Sequence, residues 1–191
     1  MRPIRRGARG SRARTQIHMS SSSTKSIAVG ADDAAFDLKG KIIDYLQSKG
    51  IAVEDYGVRT PDPNFIYPDV ALEVAQAVAA GKHDRAILMC GTGIGMAITA
   101  NKVPGIRAAV CHDVYSAERS RKSNDCQVMA LGGRVIGEEL AKTLIDAWLA
   151  AEYQGGRSTP KVERMKQIDR QFHQPATASP SSSSSSPSPS K

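Results

Sequence analysis

The chain has 191 residues, 40% of them apolar, which suits a single domain with a sizeable core. Its formal charge of +7 belongs to one end: residues 1–18 hold Arg2, Arg5, Arg6, Arg9, Arg12 and Arg14 and no acid, leaving +1 for the remainder. A nucleic-acid interface needs basic residues clustered on the folded surface, and no apolar run approaches the ~20 residues that span a bilayer. Neither nucleic acid nor membrane is therefore an expected partner.

Residues 1–24 read as a basic, Arg- and Ser-rich arm without structure of its own. Its lack of acids fits an organelle transit peptide, whereas a start at Met19 would make residues 1–18 upstream sequence. The folded domain is expected over residues 25–172, followed by a Ser/Pro-rich disordered tail at 173–191.

Within the domain, strand and helix signals alternate. Residues 25–30 read as a strand, and a helix at 34–49 places Leu38, Ile42, Tyr45 and Leu46 on one face before Gly50 ends it. Residues 51–55 give a second strand. Pro61, Pro63 and Pro68 mark a loop, with the next helix beginning beyond them and lined by Val70, Val74, Ala77 and Val78. Residues 85–90 form a third strand, and a glycine turn leads into a helix at 96–102. Strands at 106–110 and 127–131 flank a helix near 114–122, and helices at 137–150 and 159–171 complete the series. Repeated strand–helix units of this length predict a Rossmann-like three-layer αβα sandwich around a five-stranded parallel sheet.

Ligands of such sheets bind beyond the carboxyl ends of the strands. Those ends carry Asp32 and Asp33, Cys90 with its glycines, His112 and Asp113, and the run Gly132-Gly133-Arg134. Cys90-Gly91-Thr92-Gly93-Ile94-Gly95 places a thiol against a turn of backbone N–H groups at a helix start, an arrangement that binds anions and favours thiolate. Cys90 can then act as a base or a nucleophile; the alternative is a buried structural thiol. A dinucleotide fingerprint fails because its third glycine would fall at Met96, and no Gly-Lys-Ser/Thr follows to make a P-loop. Cys111 and Cys126 read as buried apolar residues at strand positions. With three cysteines and no Cys-x-x-Cys, neither a disulfide framework nor a zinc site is expected, and a reducing, cytoplasmic setting fits, with organelle import as the alternative. His112 is open between an acid–base group and a polar loop residue. Arg119, Arg121 and Lys122 read as a solvated helix face, and at least one of Asp32 and Asp33 as a helix cap.

The order of these pieces resembles the type B ribose-5-phosphate isomerase family, which includes galactose-6-phosphate isomerase subunits. The matching stretches are 30–33, Tyr67-Pro68-Asp69, the Cys90–Gly95 motif, 100–107, Ser123-Asn124-Asp125, 132–137 and 153–157. The resemblance implies a homodimer or dimer of dimers with sites shared between subunits, no metal or organic cofactor, and isomerisation of a phosphorylated sugar through a cis-enediolate. That chemistry needs a base over C1 and C2, a group shuttling hydroxyl protons, and donors for the enediolate oxygen. By the resemblance Cys90 is the base, Thr92 assists at O1 and O2, and the turn containing Gly91, Gly93 and Gly95 stabilises the oxyanion. Asp32, Tyr67 and Asn124 hold sugar hydroxyls, Asp33 and Ser123 stand at further substrate positions, and Arg134, Arg157 and Lys161 hold the phosphate.

Three positions depart from the family pattern. Asp33 and Ser123 stand where the family has histidines, the second being the one credited with opening the furanose ring. Lys161 replaces an arginine, keeping the charge without the bidentate fork. Ribose 5-phosphate/ribulose 5-phosphate, the family's default pair, is the expected substrate pair, with His112 as the substitute for ring opening if it reaches the substrate. A tetrose 4-phosphate, which cannot close a furanose because its O4 is esterified, is the alternative that needs no ring-opening histidine. A non-catalytic sugar-phosphate-binding subunit is the other class, opposed by the presence of Cys90 and Thr92.

Overall fold

The computed structural model describes residues 26–173. The expected arm and almost all of the expected tail lie outside the described residues; His173, assigned to the tail, instead ends the last helix. Five strands, β1 (Ile27–Ala31), β2 (Val53–Gly57), β3 (Ala86–Cys90), β4 (Ala108–Val110) and β5 (Val128–Gly132), form one sheet in the order β2-β1-β3-β5-β4. Every pairing is parallel. Both β3 (Ala-Ile-Leu-Met-Cys) and β5 (Val-Met-Ala-Leu-Gly) are buried along their whole length. Near-continuous apolar strands of this kind are what a sheet covered on both faces requires.

The helices are α1 (Phe36–Ser48), α2 (Tyr67–Ala79), α3 (Ile94–Ala100), α4 (Val114–Asn124), α5 (Glu138–Ala150) and α6 (Thr159–His173). One core layer packs Ile42 and Leu46 of α1, Ala117 of α4 and Leu144 and Trp148 of α5 against Val29, Ile87 and Met129. The other packs Val70 and Val74 of α2 and Met96 of α3 against Ala28, Leu88 and Ala130. The three-layer αβα sandwich is therefore present as expected. No helix among the described residues is long and apolar enough to cross a membrane.

Four local readings change. The helix α2 begins at Tyr67 and takes Pro68 into its first turn instead of waiting beyond it. Proline is tolerated there because the N–H it lacks would have no intrahelical acceptor. Arg121 is not on a solvated face: it is 8% exposed and donates from Nη1 to the Cys126 carbonyl at 2.7 Å. Asp32 precedes the short 3-10 turn Asp33–Ala35 without its side chain capping it. Cys111 and Cys126 are buried but lie just past β4 and just before β5 rather than inside strands, and burial pushes their thiols up to about 11 and about 12.

Trp148 is fully enclosed in the first core layer. Replacing it by Ala removes the largest side chain of that layer, and urea unfolding should show a loss of about 3–5 kcal/mol.

Candidate active site

The chain runs outward from β1 to β2, then returns to the other side of β1 to lay down β3. The β1/β3 boundary is thus the switch point at which connections leave in opposite directions and open a crevice above the strand ends. Asp32 follows β1 and Cys90 ends β3, tied to each other's strands through the Asp32 N–H donating to the Met89 carbonyl at 3.2 Å. A cleft of about 410 Å³ opens there, walled by Asp32, Asp33, Tyr67, Cys90, Thr92 and Arg134, with Gly91 and Gly95 in its floor. Eight of the residues singled out from the sequence therefore meet in one place. Pro63 and Phe65 also line the cleft; they belong to the proline-marked loop, where the available signal was the apolar run Phe65-Ile66-Tyr67 between prolines.

Cys90 is 5% exposed, and its Sγ accepts the Gly93 N–H at 3.1 Å. The Thr92 Oγ1 accepts the Ile94 N–H at 3.3 Å. Two N–H groups of the glycine turn are therefore spent on aiming the thiol and the hydroxyl. Gly93 makes this possible: its φ is +76°, and a Cβ there would lie 2.9 Å from the Leu131 carbonyl carbon. Gly95 has a different task, since any side chain on it would overlap the ring of Tyr67, which is seated directly upon it.

Asp32 is half-buried, and one carboxylate oxygen, Oδ1, is enclosed without a hydrogen-bond partner. Loss of solvation raises its pKa above the ordinary carboxylate value, against the pull of the Ala34 and Ala35 N–H groups and of Arg134. A buried acceptor with no partner inside the chain is suited to a donor brought from outside, such as a sugar hydroxyl. Among the described residues, no group of three or more His, Cys, Asp or Glu is placed to hold a metal ion.

Ser123, Asn124, Arg157 and Lys161 are not part of this cleft. Helix α4 starts after the carboxyl end of β4 and returns to feed β5, so its last turn, with Ser123 and Asn124, lies at the opposite rim of the sheet. There the Arg107 side chain, just ahead of β4, holds the Asn124 carbonyl at 3.0 Å. The chain then passes this same corner, where the Gln154 N–H donates to the Lys122 carbonyl at 3.1 Å, before Arg157 and Lys161 emerge exposed. Ser123 Oγ is enclosed without a partner, and Asn124 Nδ2 donates to the Arg119 carbonyl. One chain thus carries two separated sets: the cleft residues around Cys90 at the carboxyl rim and a polar, basic set at the amino rim.

Residues 27–165 match the model of the family described as Ribose/Galactose Isomerase. The chain belongs to that family. It is 62% identical over 146 residues to a D-erythrulose-4-phosphate isomerase of Pectobacterium atrosepticum, covering 76% of this chain and 96% of the relative. It is 48% identical to ribose-5-phosphate isomerase B of Escherichia coli, covering 76% and 97%. Among solved structures, ribose-5-phosphate isomerase B of Clostridium thermocellum superposes with a TM-score of 0.75 at 46% identity, covering 77% of this chain and 99% of that one. As a member of the ribose/galactose isomerases, the chain is an enzyme of aldose–ketose interconversion.

The state of Asp32 has a consequence for stability. Its folded-state pKa is raised, so the ionised carboxylate opposes folding above the carboxylate range, and the penalty disappears in acid, where both states are protonated. Asp32→Asn should therefore raise the thermal unfolding midpoint at pH 7 while lowering kcat/KM, and the gain should vanish near pH 3.

Proposed function

We propose that the chain interconverts the aldose and ketose forms of a tetrose 4-phosphate, with Cys90 as the base that carries a proton between C2 and C1. Abstraction of the C2 proton by the Cys90 thiolate leaves a cis-enediolate, and return of that proton to C1 gives the ketose. Thr92, held beside Cys90 by the Ile94 N–H, moves protons between O1 and O2. Asp32 and Tyr67 receive sugar hydroxyls, Asp33 contacts the same chain of carbons, and Arg134, packed over Gly91, meets the phosphate or the developing oxyanion.

The observation that carries the tetrose reading is Ser123. A serine hydroxyl has no acid–base pKa in the working range, so it cannot assist the opening of a furanose. A tetrose 4-phosphate has no furanose to open. The 62% identity to a protein named D-erythrulose-4-phosphate isomerase supports the same substrate class. Ribose 5-phosphate is the second reading, favoured by relatives of that name at 48–50% identity and by the solved structures. Comparison of kcat/KM on D-erythrose 4-phosphate and D-ribose 5-phosphate decides between them. At least a tenfold preference for the tetrose is expected, on the order of one well-placed contact, and parity or a preference for ribose 5-phosphate transfers the assignment. Ser123→His should raise turnover of ribose 5-phosphate by about 10²-fold, the lower end of what a positioned acid–base group supplies, with little change on the tetrose. Cys90→Ala should lower kcat on the true substrate by roughly 10²–10⁴.

We further propose that the working unit is a dimer in which Asn124, Arg157 and Lys161 of one copy complete the cleft of the other. The separation of the two sets within one chain supports this. So do the exposed apolar side chains Ile94, Ile98, Val114 and Tyr115 around the carboxyl rim, which a second copy would cover. Co-expression of Cys90→Ala with Arg157→Ala tests it. Random pairing leaves one intact site in each heterodimer, so about a quarter of the parental activity should return; recovery of none would place a complete site within each chain.

A further inference from the structure

His112 stands at the end of β4, and the reaction outlined above gives it no task. Its surroundings do. Strand β4 is only three residues long, Ala108–Val110. The Cys111 N–H still donates to the Ala130 carbonyl of β5 at 3.1 Å, after which β4 leaves the sheet. The next inward-facing donor of β5 on that side is the Gly132 N–H, and it is taken by the His112 ring: Gly132 N to Nε2 is 3.0 Å. The imidazole thus stands in for the carbonyl that a longer β4 would have offered.

Gly132 is a position where displacement would be felt in the cleft. It pairs with Cys90 across the β3–β5 ladder. The Gly133 N–H donates to the Cys90 carbonyl at 2.8 Å, and the Arg134 N–H to the Gly91 carbonyl at 3.0 Å. A Cβ on Gly132 would come within 2.9 Å of the Thr92 backbone, so the two turns are already in contact with no slack between them.

We propose that His112 is a positioning residue: as a neutral imidazole with its proton on Nδ1, it accepts the Gly132 N–H and holds the Gly132–Arg134 turn in register with the Cys90 turn. The proposal rests on the isomerase reading of that cleft for its effect on rate, but not for the hydrogen bond itself. An N–H donor can be received only by an unprotonated Nε2. Protonation of the ring would set Nε2–H against Gly132 N–H and release the turn, so acid should loosen the site through this contact. Asp113 is next in the chain, with its Oδ1 on the Ser116 N–H. Helix α3 carries no charged residue. Helix α4 offers Glu118, paired with Lys122, and α5 offers Glu138, paired with Lys41 and Lys142. Arg134 and Cys90 lie on the turns themselves, and Cys111 precedes His112 with its thiol pushed up to about 11 by burial.

The test compares His112→Gln, whose side-chain oxygen can take the place of Nε2 without titrating, with His112→Phe, which keeps the ring and removes the acceptor. Profiles of kcat and KM against pH are measured on whichever of the two sugar phosphates the enzyme turns over. His112→Gln should keep kcat/KM at pH 8 within about threefold of the parent and retain about fivefold more of it than the parent at pH 5.5, while His112→Phe should lose about tenfold at pH 8, mostly in KM, as expected for a lost buried hydrogen bond, and converge to within about twofold of the parent at pH 5.5, where the parent's own contact is released. The substrate phosphate titrates near pH 6 in every variant, so the difference between profiles isolates the ring. Nitrogen-15 NMR of the histidine-labelled parent, which needs no substrate, should find Nε2 unprotonated and Nδ1 protonated at neutral pH. A His112→Gln profile with the parental acid limb, unchanged kcat/KM in His112→Phe at pH 8, or a proton on Nε2 at neutral pH overturns the proposal; failure of the isomerase assignment would leave the NMR result intact.

Discussion

The contact on which the rest of the site depends is that between two glycine turns at the ends of β3 and β5. Backbone bonds from Gly133 and Arg134 to the carbonyls of Cys90 and Gly91 lock them together. A side chain at Gly93 would press on Leu131, and one at Gly132 on Thr92. The approach is closer than any Cβ permits, so the glycines act here by occupying no space, and Gly93 also by adopting a φ that other residues avoid. Cys90, Thr92 and Arg134 project from this joint, with the Cys90 Sγ and the Thr92 Oγ1 each held by an N–H of the turn. The roles proposed for them would benefit from a fixed turn, because charge stabilisation is strongest when the dipoles need not reorganise.

The parallel sheet imposes a second constraint. Every strand delivers its carboxyl end to one rim, and every helix returns the chain to the other. Residues at strand ends therefore gather, whereas residues at helix ends gather elsewhere. Asp32, Cys90 and Arg134 belong to the first group; Asn124, Arg157 and Lys161 belong to the second. In the dimer proposed above, a second copy would be turned so that its amino rim meets the first copy's carboxyl rim, and two-fold symmetry would provide two such meetings at once. The unpartnered Oδ1 of Asp32 fits the same picture, since an acceptor is left waiting for a donor that its own chain does not supply.

Much of this was legible in the residues. Apolar runs of strand length separated by amphipathic segments specify alternating strands and helices, and the alternation specifies a parallel sheet, because consecutive parallel strands need a crossover. The glycine turn after Cys90 and the polar residues at the strand ends were visible for the same reason: chemistry and backbone geometry restrict the residue types allowed there. Some local features were not. Pro68 marks a loop in most contexts, and only the start of α2 shows it inside a first turn. Arg121 belongs to a charged run whose periodicity says surface, yet the Cys126 carbonyl and Asp125 draw it inward. His112 had two readings as a strand-end residue, and its bond to the Gly132 N–H depends on the abrupt end of β4, a fact about strand length that no single residue announces.

The amino-acid sequence by itself determined the class of fold, the glycine turn that follows Cys90 and the family, because each follows from local patterns: periodicity, the φ demands of glycine, and an uninterrupted order of motifs. Tertiary structure alone decided the strand order, which of the polar residues share a cleft, and that Ser123, Asn124, Arg157 and Lys161 stand apart from Cys90. Those are consequences of which strand ends become neighbours and which way each helix returns, and such long-range placement is set by packing of the two core layers rather than by any stretch of neighbouring residues.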